Sequence, residues 1–159
     1  MTSDSEEWYT PRHIIEAVLQ VLREIDLDPA SPAHPTIPAR RHFTKEEDGL
    51  LQRWHGRVYL NPPYGRGVDT WIEKALLEYR EGAVTEAIIL VAARTDTKWF
   101  NRLKDYPWCS VEGRLKFSSS KNSAPFPSAV FYLGDDAESF VKVFGEIGAV
   151  WLPAGEVKE

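Results

Sequence analysis

Asn61, Pro62, Pro63 and Tyr64 stand together in the chain as an amide, two prolines and an aromatic ring. Two adjacent prolines fix φ at both positions and remove both N–H donors. The backbone there is stiff, and its carbonyls are left to accept hydrogen bonds from another molecule. The Asn61 oxygen and a carbonyl of the proline segment can take the two protons of a flat, amino-bearing molecule while Tyr64 stacks on its face. The plainer reading of the same residues is a proline-rich turn that closes a buried strand.

Such a clamp has to be held by regular elements on either side. The apolar run Val58, Tyr59, Leu60 reads as a strand that delivers the loop to the edge of a sheet. After Gly65, Arg66 and Gly67 a helix is expected from near Asp69, with Ile72, Ala75, Leu76 and Tyr79 on one face and Gly82 as its stop. Upstream, Thr10 reads as an N-cap and Pro11 as the first residue of a helix that buries Ile14, Ile15, Val18, Leu22 and Ile25. Residues 25–31 alternate apolar and acidic side chains and break at Pro29, a short strand ending in the Asp28 carboxylate. Pro32, Pro35 and Pro38 mark an extended loop, residues 40–43 a second short strand, and Asp48 with Gly49 and Leu50 a tight turn with an apolar wall.

Residues 87–92 form a continuous apolar run, suited to a parallel strand covered on both faces. Thr95, Asp96 and Thr97 offer caps for a helix carrying Trp99, Phe100 and Leu103. Val111, Gly113, Leu115 and Phe117 alternate with polar residues as a strand, and after a loop over 118–127 residues 129–133 pair with it antiparallel at the sheet edge. Ala137, Phe140, Val141 and Phe144 predict a last helix, and residues 150–152 a last strand. Strands and helices in this order predict an α/β, doubly wound, Rossmann-like sheet that takes its ligand at the carboxyl ends of the strands.

The 159 residues, 43% hydrophobic, suit a single domain over 1–159 with flexible ends at 1–7 and 153–159. No apolar run reaches the length of a membrane span and the first residues are polar, so a cytosolic location is expected. The single cysteine, Cys109, reads as a core thiol, and His13, His34, His42 and His55 lack metal-ligand spacing, so no metal is expected. A formal charge of -5 excludes binding to nucleic acid by bulk electrostatics and leaves only a local basic face. Arg66, Arg94, Lys98 and Lys121 are candidates for such a phosphate track, with Arg40, Arg41, Arg102, Lys104, Arg114 and Lys116 as further cations.

In order along the chain stand Trp8-Tyr9-Thr10-Pro11, Asp26-Leu27-Asp28-Pro29-Ala30-Ser31, Glu47-Asp48-Gly49-Leu50, Asn61-Pro62-Pro63-Tyr64-Gly65, residues 94–100 and residues 124–128. This order resembles the phage-type DNA N-6-adenine methyltransferases, the Dam family, over roughly residues 8 to 133. The resemblance implies a methyltransferase sheet, S-adenosylmethionine as cofactor and DNA as partner. It implies cofactor contacts from Tyr9, Thr10 and Pro11 at the methionine end, and from Asp28, Pro29 and Ala30 beneath it. Asp48, Gly49 and Leu50 would then hold the cofactor's adenine, and Asn61 would touch both cofactor and target. Asn61 through Tyr64 would grip an adenine flipped out of the duplex, because a stacked base cannot reach such a clamp. The chain departs from most nucleotide-binding folds in having Pro29-Ala30-Ser31 where a glycine-rich turn would stand. Methylation of a protein glutamine amide and a non-catalytic cofactor-binding module are the other readings.

Overall fold

A computed structural model describes residues 9–65, 67–117 and 124–155. Seven strands form one sheet: β1 (Ile25–Asp28), β2 (Ala39–His42), β3 (Gly56–Leu60), β4 (Val84–Ala92), β5 (Trp108–Val111), β6 (Ser128–Leu133) and β7 (Gly148–Trp151). Their order across the sheet is β2-β1-β3-β4-β6-β5-β7. The first four are parallel, and β6, β5 and β7 each run antiparallel to the strand before them in that order.

Both faces of the sheet are covered. On one, helices α1 (Arg12–Leu22) and α4 (Ala137–Phe144) pack with Tyr59, Ile88, Leu90, Val130 and Tyr132. On the other, α2 (Val68–Arg80) and α3 (Lys98–Leu103) pack with Val58, Leu60, Ala87, Ile89, Val91, Ala129 and Phe131. The alternation of these residues along β3, β4 and β6 is the period-two geometry of a strand, and it fills two cores rather than one because helices lie on each side. Cys109 is the buried core thiol that was expected, with burial pushing its pKa up to about 12.

Several boundaries differ from the sequence expectation. The strand expected over 111–117 lies instead at Trp108–Val111, because Gly113 turns the chain at φ 74° and Leu115 then accepts a hydrogen bond from Ala124 N–H at 2.8 Å instead of joining the sheet. Its pairing with β6 is antiparallel as expected, and β7 adds one more strand outside it. Thr10 does not cap α1. Pro11 holds the cap position without a side-chain bond, and the Thr10 hydroxyl lies 2.8 Å from the Tyr59 hydroxyl. Thr97 does cap α3, accepting from Phe100 N–H at 3.3 Å. The ends expected to be flexible fall outside the described residues except for 153–155, which are exposed.

Candidate functional site

The chain leaves β1 toward β2 in one direction, returns beside β1 as β3, and leaves β3 toward β4 in the other direction. Connections that diverge this way open a crevice at the carboxyl ends of the two strands. A cleft of about 530 Å³ lies there. One wall is Pro29, Ala30, Ser31 and Pro32 after β1. Phe43, Thr44, Lys45, Asp48 and Gly49 follow β2, Asn61, Pro62 and Pro63 follow β3, and Trp71 comes from α2.

The wall built by Asp48 and Gly49 depends on a close backbone approach. A Cβ at Gly49 would stand 2.0 Å from the Pro29 carbonyl oxygen, so only glycine lets the two segments meet. Trp54 donates its indole N–H to the Gly49 carbonyl at 2.8 Å and stacks on Trp71 at 6.1 Å between centroids, which ties this turn to α2. Asp48 occupies the left-handed region at φ 55°, and its Oδ1 accepts from Leu50 N–H at 3.1 Å. One carboxylate oxygen is thereby committed to the turn while the residue faces the cleft. If Asp48 holds the cofactor's adenine, as the resemblance implies, Asp48→Ala should cost about 1–3 kcal/mol of cofactor affinity, the range for a hydrogen bond to a charged group. Titration calorimetry with S-adenosylmethionine measures it, and parent-like affinity would remove Asp48 from the site.

Asp28 lies behind the wall at 2% exposure, at the end of β1. Burial pushes its pKa up to about 7, and the nearby His42 and the Ala30 N–H, 3.3 Å from Oδ1, only partly offset that. Its carbonyl accepts from Phe43 N–H at 2.9 Å, which fixes the loop after β2 against the end of β1.

Asn61 donates from Nδ2 to Thr10 Oγ1 at 3.4 Å, and Thr10 bonds Tyr59 in turn. Tyr59 is fully buried, and burial raises its phenol well above the ordinary range. Tyr64 is half-buried, edge-on to Phe117 at 6.0 Å and to Phe126 at 5.1 Å, and burial raises its pKa as well. The Tyr64 ring is thus set by two phenyl rings from the connection between β5 and β6. Ser128, at the start of β6 on the same sheet face as Tyr59, is fully buried, and its hydroxyl has no hydrogen-bond partner among the described residues.

Of the residues singled out in the sequence, Pro29, Ala30, Asp48, Gly49, Asn61, Pro62 and Pro63 meet at the cleft. Tyr9, Thr10, Pro11, Asp28, Leu50 and Tyr64 do not line it. Arg94 and Lys98 are exposed, just beyond β4 and at the start of α3, on the rim where β4 ends. Arg66 and Lys121 lie outside the described residues. Sequence reasoning missed Trp71, Phe43 and Lys45 on the wall and Trp54 beneath it. The heavy aromatic content between residues 43 and 71 was the one signal available. Among the described residues no cluster of His, Cys, Asp and Glu could hold a metal, and no helix is long and apolar enough to cross a membrane.

Among solved structures, the chain is similar to the crystal structure of 23S rRNA methyltransferase ErmE, with a TM-score of 0.55 and 13% identity, over 82% of this chain and 70% of that one. At that identity the likeness shows the fold alone, a Rossmann-like mixed α/β sheet. No curated protein matches the sequence. The sequence profile described as DNA N-6-adenine-methyltransferase (Dam) matches residues 1–129. S-adenosylmethionine is accordingly the methyl donor. The chain belongs to the DNA N-6-adenine-methyltransferase (Dam) family.

Proposed function

We propose that the chain methylates the exocyclic amine of adenine in DNA, with Asn61, Pro62, Pro63 and Tyr64 as the clamp on a flipped base. The observation that carries this reading is that Asn61, Pro62 and Pro63 form one wall of the cleft at the point where the strand order reverses. The amide of a residue that must address a target amine is there tied down by Thr10.

The residues present fit the cofactor. The cleft volume lies within the roughly 300–1,000 Å³ of small-molecule sites. Its wall combines the flat apolar surfaces of Phe43 and Trp71 with the Asp48 carboxylate, which can accept a proton from an adenosine group. Asp48, Gly49 and Leu50 would hold the adenosine end, and Asp28, Pro29 and Ala30 the loop beneath the other end. When bound, S-adenosylmethionine supplies a methyl group already activated on a sulfonium.

The protein is then left with alignment. An aromatic amine is a poor nucleophile because its lone pair is delocalised into the ring. Asn61 Oδ1 and a carbonyl of the proline segment would accept hydrogen bonds from its two N–H groups, drawing the nitrogen toward tetrahedral geometry and freeing the lone pair to attack the methyl carbon at near-attack distance, the carbon–sulfur bond breaking as the carbon–nitrogen bond forms and the surplus proton then passing to water. Tyr64 stacks on the base and keeps it out of the duplex, and no general base or metal is needed for this step.

DNA contact falls to local cations, because the chain as a whole is acidic. Arg94 and Lys98 flank the rim, and Arg66 and Lys121 are the other candidates. Reversing Lys98 to glutamate should weaken DNA binding and reduce the slope of log affinity against log salt by about one, with cofactor affinity unchanged. A slope equal to the parent's would take Lys98 off the track.

Methyl transfer from labelled cofactor to DNA and, in parallel, to protein tests the reading. Label in DNA supports it. Label on protein glutamine favours the amide alternative, and cofactor binding without transfer favours a non-catalytic module.

A further inference from the structure

We propose that DNA meets the protein on the side of the Asn61 loop away from the cofactor cleft, with its phosphates held by Arg12, Arg114 and Lys116. The inference rests on the DNA reading above and names the surface that carries it. The loop after β3 divides the rim of the sheet in two. Pro62 and Pro63 line the cleft together with Trp71 of α2, whereas Tyr64 packs into the cluster that α1 and α4 form on the opposite face of the sheet. A base entering from the cleft side would compete with the cofactor for one space. The approach left to DNA is the α1 side.

That side is built by α1 and by the connection between β5 and β6. Ser110 lies opposite Ala129, and Ala92 at the end of β4 lies opposite Ser128, so the connection leaves and re-enters the sheet at the rim where β4 ends. Its described residues form an arm. Ala124 N–H donates to the Leu115 carbonyl at 2.8 Å, and Arg114 Nη1 donates to the Ala124 carbonyl at 3.5 Å. Leu115 and Phe117 are buried, and the rings of Phe117 and Phe126 seat Tyr64 at 6.0 and 5.1 Å. Arg114 and Lys116 alternate with the buried pair and are exposed. One side of the arm thus presses on the clamp while the other shows two cations. Arg12 adds a third, exposed in the first turn of α1, two residues after the Thr10 hydroxyl that accepts from the Asn61 amide at 3.4 Å.

Ion pairing separates these cations from those at the far end of the sheet. Among the described residues, Arg12, Arg114 and Lys116 form no ion pair, although Glu16 stands one turn beyond Arg12 and Glu112 precedes Arg114 on the arm. At the amino ends of the parallel strands, Arg40 pairs with Glu24 and Asp26, and Arg57 pairs with Glu24 and Glu86. Arginines neutralised in that way offer little to a polyanion. An acidic chain therefore keeps a basic face only where its cations are left without carboxylates, which is the case beside the clamp.

The test is fluorescence anisotropy of a labelled, mixed-sequence DNA duplex with the full chain across a salt series. Arg114→Gln with Lys116→Gln should lower the slope of log affinity against log salt by about two, and Arg12→Gln by about one, at one phosphate for each cation. Affinity for S-adenosylmethionine should stay at the parent value in each. Arg40→Gln makes the same change in charge at the other end of the sheet and should keep the parent slope. A parent slope in the double variant or in Arg12→Gln would overturn the proposal. So would an equal loss of slope in Arg40→Gln, since total charge and not this face would then govern binding. Tighter binding to an RNA duplex of the same sequence would overturn DNA as the partner of this face. A parent that methylates adenine in DNA while the variants keep its slope would defeat this inference alone. A parent that binds DNA through these cations and transfers no methyl to adenine would defeat the clamp reading and leave this face standing.

Discussion

Asn61→Ala should lower the single-turnover rate of methyl transfer by on the order of a hundredfold or more, the loss typical when one preorganised hydrogen-bonding group is removed from a developing charge. Folding and cofactor affinity should change far less. The Asn61 oxygen is used fully only as the amine becomes tetrahedral, and an interaction realised only in the transition state appears in kcat and not in binding. The variant also leaves Thr10 and Tyr59 bonded to each other at 2.8 Å, so the pocket behind Asn61 keeps its own hydrogen bond. Asn61→Asp keeps an acceptor at the same reach and should retain more activity than the alanine variant. Rapid-quench kinetics with enzyme in excess over DNA measures both. A parent-like rate for Asn61→Ala would remove this loop from the active site.

Gly49→Ala should have the second largest effect, this time on binding. The added methyl would stand 2.0 Å from the Pro29 carbonyl oxygen and 3.2 Å from a ring carbon of Trp71. Backbone cannot yield as a flexible side-chain end can, so the turn carrying Asp48 must move away from the loop after β1. That movement opens the wall shared by Pro29 and Gly49 and strains the Trp54 N–H bond to the Gly49 carbonyl. Overpacking of this sort costs about 1–3 kcal/mol of stability. Cofactor affinity should fall by about tenfold or more, because 1.4 kcal/mol lost from the wall is already a factor of ten. Thermal unfolding together with calorimetry measures the two losses, and unchanged affinity would mean that this wall does not hold the cofactor.

What could be read from the sequence was what is local. The Asn61 loop, the carboxylate ending β1 and the doubly covered run in β4 each carry their signal within a few residues, so loop, strand and sheet class followed. Features made by distant approach did not. Gly49 reads as an ordinary turn glycine until Pro29 is set against it, and Trp71 reads as one more large residue on a helix until Trp54 stacks on it. Thr10 reads as a helix cap because Thr-Pro before an apolar periodicity is a capping pattern, yet a tyrosine forty-nine residues away takes its hydroxyl. Alternation over 111–117 suggested a strand, but alternation cannot reveal that β5 stops at Val111, where its antiparallel neighbours begin at Ser128 and Gly148. The aromatic seat of Tyr64 was hidden for the same reason, since Phe117 and Phe126 reach it from the far side of the sheet connection.

The central claim is that the methyl group goes to the exocyclic nitrogen of adenine in DNA. The direct measurement is to incubate the protein with DNA and isotopically labelled S-adenosylmethionine, digest the DNA to nucleosides and identify the labelled product by mass spectrometry. The account predicts N6-methyladenosine as its deoxynucleoside, formed by the parent and reduced to background with Asn61→Ala. Label on cytosine, on protein glutamine, or on adenine at the same rate with Asn61→Ala would contradict it.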